Sequence, residues 1–184
     1  MSTEQHADLI VIGAGPGGYV AAIRAAQLGM KVTVIEKRPT LGGTCLNVGC
    51  IPSKTLLNAS EKYLEASTGH LAELGITHGK AKLDLSRMMA AKDDVVKGLT
   101  GGIDLLFRKN KITRIVGTAT ITAAGNVSVE GEDGTHALTA DKILIATGSS
   151  PASLPGVEID EDKIVSSTGA LSLSSVPKKL ILIG

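Results

Sequence analysis

The chain contains no tryptophan, one phenylalanine and two tyrosines in 184 residues, so aromatic side chains make up only 2% of it. Its core must be built from Val, Ile, Leu and Ala. Few rings are present to stack on unpaired bases, which argues against single-stranded nucleic-acid binding. Charge of one sign is missing too. A net charge of +1 sets up no field that would gather nucleic acid or an anionic membrane. No apolar run is long enough for a membrane span, and the polar residues before Leu9 carry no basic signal-peptide region. The expectation is a soluble, reducing compartment: the cytoplasm, or the mitochondrial matrix for a mature eukaryotic form. Cysteine is scarce as well, and the only two, Cys45 and Cys50, fall within six residues of each other.

Hydrophobic residues make up 43% and charged residues 20%, enough for a packed core with no signature of disorder. The length suits one domain plus part of a second. Ala7 to Ile12 reads as a short buried strand, and Gly13-Ala14-Gly15-Pro16-Gly17-Gly18 follows at once. An alanine-rich helical run, Tyr19 to Leu28, ends at Gly29, and a second strand, Lys31 to Ile35, leads into Glu36 and Lys37. Strand, glycine turn, helix, strand and acid in this order predict a dinucleotide-binding unit. Gly13 allows the tight turn, Gly15 lets the backbone approach a pyrophosphate, and Gly18 lets the helix pack against the strand. Pro16 and Gly17 belong to the same turn as candidate cofactor-binding residues, and the free N–H groups at the start of the following helix attract phosphate. Glu36 is placed to accept hydrogen bonds from a ribose diol. The bland alternative is an ordinary strand–helix connection with purely structural glycines.

The two cysteines admit three readings: buried small hydrophobes, a zinc site, or a redox pair. Structural zinc requires four ligands. No further cysteine exists, and His6, His70, His78 and His136 are scattered, so no metal ligands are assigned. A redox pair has a geometric condition. Residues five apart in a regular helix lie roughly 8–9 Å apart at Cα, beyond the span of a disulfide. A bond between Cys45 and Cys50 would thus need non-helical backbone between them; Gly49 permits this, and Pro52 disfavours helix at Ile51. Lys54, four residues after Cys50, falls on the same side of a helix, where its cation favours a thiolate.

Further on, Thr55 to Ala66 is predicted helical. Asp84 is a candidate N-cap for a long helix from Leu85 to about Asn110, with Gly98, Gly101 and Gly102 marking a kink or a close neighbour. Short β-like runs follow at 112–116, 119–122, 126–129 and 136–138, with turn signals at Gly125-Asn126 and Asp133-Gly134. They predict a small antiparallel ribbon inserted in a parallel sheet. Lys142 to Ala146 is another buried strand, followed by Thr147-Gly148-Ser149 at its carboxyl end, where open α/β sheets bind ligands. Asp160 to Asp162 reads as a solvated turn. Leu180 to Ile183 reads as a strand arriving at Gly184, the opening of a second dinucleotide unit. The expected division is 1–150 as a Rossmann-like α/β dinucleotide-binding domain and 151–184 as a connection plus the first strand of a further domain cut short. The expectation is therefore a piece of a longer protein.

The Gly13–Gly18 turn, the run Gly42-Gly43-Thr44-Cys45-Leu46-Asn47-Val48-Gly49-Cys50-Ile51-Pro52-Ser53-Lys54 and Ala146-Thr147-Gly148-Ser149 resemble the three signatures of the flavin-dependent disulfide reductases. The whole chain is similar to the amino-terminal part of the dihydrolipoamide dehydrogenases. The resemblance implies bound FAD, with its pyrophosphate at Gly13–Gly18, its ribose at Glu36, its adenine near Gly117 and Ala119, and its ring system beside Cys50 and Lys54. Gly43, Thr44, Thr147, Gly148 and Ser149 would line the cofactor. It implies a redox disulfide in which Cys45 meets substrate and Cys50 meets flavin, with electrons passing from dihydrolipoamide to NAD. Implied partners are lipoyl domains of 2-oxo acid dehydrogenase or glycine cleavage complexes, and a second copy in a homodimer. The nicotinamide domain and the acid–base pair of the family lie outside this sequence, so the piece alone is expected to hold FAD without turnover. Glutathione or mercuric reductase chemistry and a non-catalytic FAD-binding module are the alternatives.

Overall fold

The computed structural model describes residues 5–132 and 134–183. It contains two compact units, Met1–Asn47 with Lys97–Ser150 and Val48–Val96 with Pro151–Gly184.

The first unit is built on one six-stranded sheet: β1 (Gln5–Ile12), β2 (Val32–Glu36), β3 (Thr113–Val116), β4 (Thr118–Ala123), β5 (Asn126–Gly131) and β6 (Gly134–Ile145), in the order β3-β2-β1-β6-β5-β4. The strands β3, β2, β1 and β6 run parallel, whereas β6, β5 and β4 form an antiparallel meander. The Rossmann-like parallel sheet and the antiparallel ribbon are therefore both present, joined through β6, but the run at 112–116, expected in the ribbon, is β3 and pairs parallel with β2. All five residues of β2 are buried, as expected for a parallel strand covered on both faces.

The sheet's two edge strands, β3 and β4, are consecutive in sequence and joined by Gly117 alone. A flat sheet cannot place neighbours in sequence at opposite edges, so this one curls until its edges meet. The Gly117 N–H donates to the Glu36 carbonyl, 3.0 Å. A Cβ on Gly117 would come within 2.6 Å of the Glu130 carbonyl oxygen, and one on Gly131 within 2.7 Å of that of Val116. Inside the curl all six strands feed one apolar cluster: Ala7, Ile10, Ile35, Val127, Val129, Leu138 and Ala140, with Ile12, Ile115, Ala119 and Ile143 packed on it. Aliphatic side chains alone fill this space, which is how a chain nearly without aromatics builds a core. Helix α1 (Pro16–Gln27) packs on β1 and β2 through Gly18, Ala22 and Ala25, spaced to share one face.

Several expectations are corrected. The runs at 136–138 and 142–146 are one strand, β6: its first half pairs with β5 and its second half with β1. Half-buried Thr139 and exposed Asp141 lie within this continuous strand, and the run expected to be buried at 142–146 has Lys142 and Ile145 exposed. The long helix α5 (Leu85–Lys109) forms, yet Cβ atoms on Gly98, Gly101 or Gly102 would meet nothing within 4 Å, so these glycines mark no close neighbour. Leu180 to Ile183 form no strand among the described residues, and their side chains are mostly exposed; a strand needs a hydrogen-bonding partner, and none pairs with them. Asp133 and Gly184 lie outside the described residues, so neither the turn at 133 nor the glycine of a second unit is described.

The second unit holds α3 (Cys50–Ser67), the short α4 (His70–Glu73) and α6 (Ser167–Ala170), and the start of α5. Asp84 caps α5 as expected: its carboxylate accepts from the Arg87 N–H at 3.1 Å and the Ser86 hydroxyl at 2.8 Å. The Arg87 backbone bond, then the Ser86 hydroxyl, holds this carboxyl below its ordinary range. The acidic run is a surface turn in which one Asp160 oxygen accepts from the N–H groups of Asp162, Lys163 and Ile164, each at 2.9 Å.

Candidate functional site

The site is assembled at the carboxyl ends of the parallel strands. Gly13 leaves β1 at φ +99°, and a Cβ there would overlap the Ala146 carbonyl oxygen. Ala146, just past β6, donates its N–H to the Ile12 carbonyl at 2.8 Å, so the Gly13 turn and the Thr147-Gly148-Ser149 turn lie side by side. Thr147, Gly148 and Ser149 are exposed, with Gly148 at φ +72°. Gly15 is the N-cap of α1, Pro16 its first residue, and no side chain caps this helix. Its first N–H groups remain available, and nothing lies within 4 Å of a Cβ placed on Gly17. A Cβ on Gly18 would overlap the Gly13 carbonyl oxygen, so the sequence-assigned roles of Gly13 as turn and Gly18 as close-packing position agree with the geometry.

Glu36 ends β2 and is buried. Its carboxylate accepts from the Ala14 N–H at 2.8 Å and the Arg38 N–H at 3.0 Å. The first bond ties the acid to the glycine turn and the second to the loop after β2, and a carboxylate has lone pairs left for further donors. Lys37, next in the chain, is exposed. Gly117 and Ala119 lie across the β3–β4 junction, and Gly117 hydrogen-bonds to Glu36. Gly13, Glu36, Gly117 and Thr147 thus stand at the carboxyl ends of β1, β2, β3 and β6.

The cysteine run is tied to the same turn. Gly42 donates its N–H to the Ala14 carbonyl, 2.9 Å. Gly43 sits at φ +57°, where a Cβ would lie 2.5 Å from the Gly15 Cα. Helix α2 (Gly43–Val48) starts there and carries exposed Thr44 and half-buried Cys45. Gly49 then interrupts the helical backbone at φ −143°, ψ −111°, and α3 begins with exposed Cys50. The non-helical residue that a bond between the cysteines requires is present. It falls at Gly49 rather than at Ile51, because a proline in the first turn lacks only an N–H that would be unpaired there anyway. The cysteines are not joined in a disulfide. Lys54 is exposed and, four residues after Cys50 in α3, shares its side of the helix; both belong to the second unit.

Sequence reasoning missed Asn47. Its carboxamide donates to the Leu41 carbonyl at 3.0 Å and the Gly43 carbonyl at 2.9 Å, and accepts from the Thr40 hydroxyl at 2.7 Å. A polar residue in a short helix four positions after a glycine was the available signal. Reading by spacing also missed a group far from this site. The strand pairing of β1 and β6 gathers His6, Asp8 and Asp141 within 4.8 Å. His6 Nε2 lies 3.6 Å from an Asp141 carboxylate oxygen, with both side chains more than half exposed, so the group is an open surface cluster.

The sequence profile of the pyridine nucleotide-disulphide oxidoreductases matches residues 7–184, nearly the whole chain. The chain belongs to this family. Among curated relatives it is 56% identical over 183 residues to the dihydrolipoyl dehydrogenase of Manduca sexta and 58% identical over 184 residues to the mitochondrial dihydrolipoyl dehydrogenase of Dictyostelium discoideum. In both, all of this chain aligns with 37% of the relative, so the chain spans little more than a third of their length. The HOCl-induced flavoprotein disulfide reductase RclA of Escherichia coli, solved as a Cu(II) complex, superposes with a TM-score of 0.75 at 27% identity, over 94% of this chain and 35% of that one. The signatures read from the sequence and the family found by comparison agree. Among the described residues, no helix is long and apolar enough to cross a membrane.

Proposed function

We propose that this chain is the FAD-binding portion of a dihydrolipoyl dehydrogenase, in which Cys45 and Cys50 form the redox pair. The observation that carries the reading is the contact of Gly43 with Gly15, together with the Gly42 to Ala14 hydrogen bond. It fastens the start of the helix that bears the first cysteine to the turn that would bind the cofactor's phosphates.

The residues fit FAD. The uncapped start of α1, with open space at Gly17, offers N–H groups to a pyrophosphate. Glu36, fixed by Ala14 and Arg38, presents an acceptor to a ribose. Gly117, Ala119, Thr147, Gly148 and Ser149 supply backbone and hydroxyl groups at the same strand ends, while Gly43 and Thr44 open the helix that carries Cys45. When bound, FAD supplies an acceptor for the electron pair of the dithiol and a donor to NAD. The chain's own part is to hold Cys45 on α2, to break the helix at Gly49 so that Cys50 can approach it, and to place Lys54 one turn beyond Cys50. The substrate is dihydrolipoamide, the protein partners are lipoyl domains of 2-oxo acid dehydrogenase or glycine cleavage complexes, and the full-length protein acts as a homodimer in the cytoplasm or mitochondrial matrix.

The test is spectroscopic. The purified chain is loaded with FAD, its thiols are counted before and after oxidation, and the flavin spectrum is recorded with Cys50 intact and as Cys50→Ser. Stoichiometric FAD, loss of two thiols on oxidation and a long-wavelength thiolate–flavin band that vanishes in Cys50→Ser support the reading. A chain that takes up no FAD, or keeps both thiols under oxidising conditions, refutes it.

A further inference from the structure

The six residues of α2 are too few to hold a helix by themselves, since nucleation outweighs so short a propagation. The helix nevertheless carries Cys45, and what ties its carboxyl end back to the chain before it is the side chain of Asn47. The carboxamide spends both amide protons on the Leu41 and Gly43 carbonyls and its oxygen on the Thr40 hydroxyl. Two donors and an acceptor at one tip are found in a carboxamide of this length and in no near substitute: aspartate has no donor, and serine does not reach. The segment so gripped is itself anchored, with Leu41 buried, Gly42 bonded to Ala14 and Gly43 against Gly15. Asparagine is a poor helix former, so its place two residues after Cys45 and three before Cys50 is not a matter of propensity.

We infer that Asn47 is a positioning residue that sets the equilibrium between the Cys45–Cys50 dithiol and its disulfide; this rests on the reading of the two cysteines as a redox pair. A disulfide demands Cα atoms within a narrow separation and fixed Cβ directions. The step is exchange with a low-molecular-weight disulfide. Two thiols of the protein and one oxidised glutathione give the protein disulfide and two reduced glutathiones, so two electrons and two protons pass to glutathione. If α2 frays or shifts, Cys45 spends less time where Cys50 can meet it, and the equilibrium moves towards the dithiol.

The experiment equilibrates the FAD-loaded protein, Asn47→Ala, Asn47→Asp and Thr40→Val in glutathione buffers of graded ratio, and reads the disulfide fraction by alkylation mass shift. Asn47→Ala and Asn47→Asp, which both lose the two donors, are expected to lower the disulfide-forming constant by about tenfold, equivalent to roughly 30 mV for a two-electron couple. Thr40→Val, which loses one bond, lowers it less. Phe107→Leu, at a buried residue that takes no part in the Asn47 hydrogen bonds, serves as a destabilised control measured at the same interval below its melting point. An unchanged constant in both Asn47 variants overturns the inference while leaving the redox pair standing, and so does an equal shift in Phe107→Leu. A parent protein that forms no disulfide at any glutathione ratio removes the redox pair, and the inference with it.

Discussion

Exchanging glycine for alanine at two adjacent positions of the first turn separates steric need from helix propensity. Gly17 and Gly18 are consecutive residues in the first turn of α1. A methyl group on Gly17 meets nothing within 4 Å and the backbone there is helical, so Gly17→Ala reduces only the freedom of the unfolded chain. That change stabilises by roughly 0.5–1 kcal/mol. A methyl group on Gly18 overlaps the Gly13 carbonyl oxygen and lies 3.4 Å from Val11 Cγ1. The obstructing atom is backbone in the turn that leaves β1, so relief requires moving α1 off the sheet. Overpacking of this kind costs about 1–3 kcal/mol or more, and the propensity gain offsets only part of it. With roughly 2–4 °C per kcal/mol for a chain of this size, Gly17→Ala raises the melting temperature of the FAD-free protein by about 1–4 °C. Gly18→Ala lowers it by up to roughly 10 °C. Thermal unfolding followed by far-UV circular dichroism reads both. A Gly18→Ala protein that melts with or above the parent, or a Gly17→Ala protein that falls as far as Gly18→Ala, refutes the close-packing account of this turn.

Glu36→Gln turns one acceptor into a donor, so either the Ala14 or the Arg38 N–H loses its partner; the expected cost is about 1–3 kcal/mol, read as a lower denaturant midpoint at unchanged slope. Phe107→Ala empties the largest buried side chain and is expected to cost about 3–5 kcal/mol in the same assay. The Asp84 carboxyl is held below 3.8 by the Arg87 N–H and Ser86 hydroxyl. Its contribution is therefore complete above that value and disappears as pH falls through the lower, folded-state value. The stability gap between the parent and Asp84→Ala should accordingly be constant from about pH 7 to 5 and shrink as pH falls below about 4; a gap as wide in strong acid as at about pH 7 contradicts the capping account.

How much of this was legible depended on the range of the interactions. The strand, glycine turn, helix, strand and Glu36 of the first thirty-six residues follow from patterns a few residues long, and they stand where spacing puts them. The role of Gly18 was readable because the motif encodes a local clash. The partners of Glu36 were not, because Ala14 is twenty-two residues away and a backbone N–H leaves no mark in sequence. The unity of β6 was hidden because its two halves answer to different neighbours, β5 and then β1. Pro52 misled by acting as a helix breaker on paper and as a tolerated first-turn residue in the structure. Leu180 to Ile183 have the composition of a buried strand, and composition cannot supply the partner. Asn47 was overlooked because its three bonds depend on the turn at Gly42, which only the fold defines.

The pairing of β1 with β6 has a consequence for synthesis. His6 and Thr139 are register partners 133 residues apart. At roughly 5–20 residues per second on a ribosome, β1 waits about 7–27 s before its central partner exists. β2 reaches one side of it much sooner, leaving the other side an apolar strand edge of the kind that templates aggregation. The meander β4–β5–β6 is assembled from near neighbours and can arrive preformed. Capture of β1 by β6 is therefore the late, long-range event on which completion of the sheet depends, and chaperone protection is needed most during that wait.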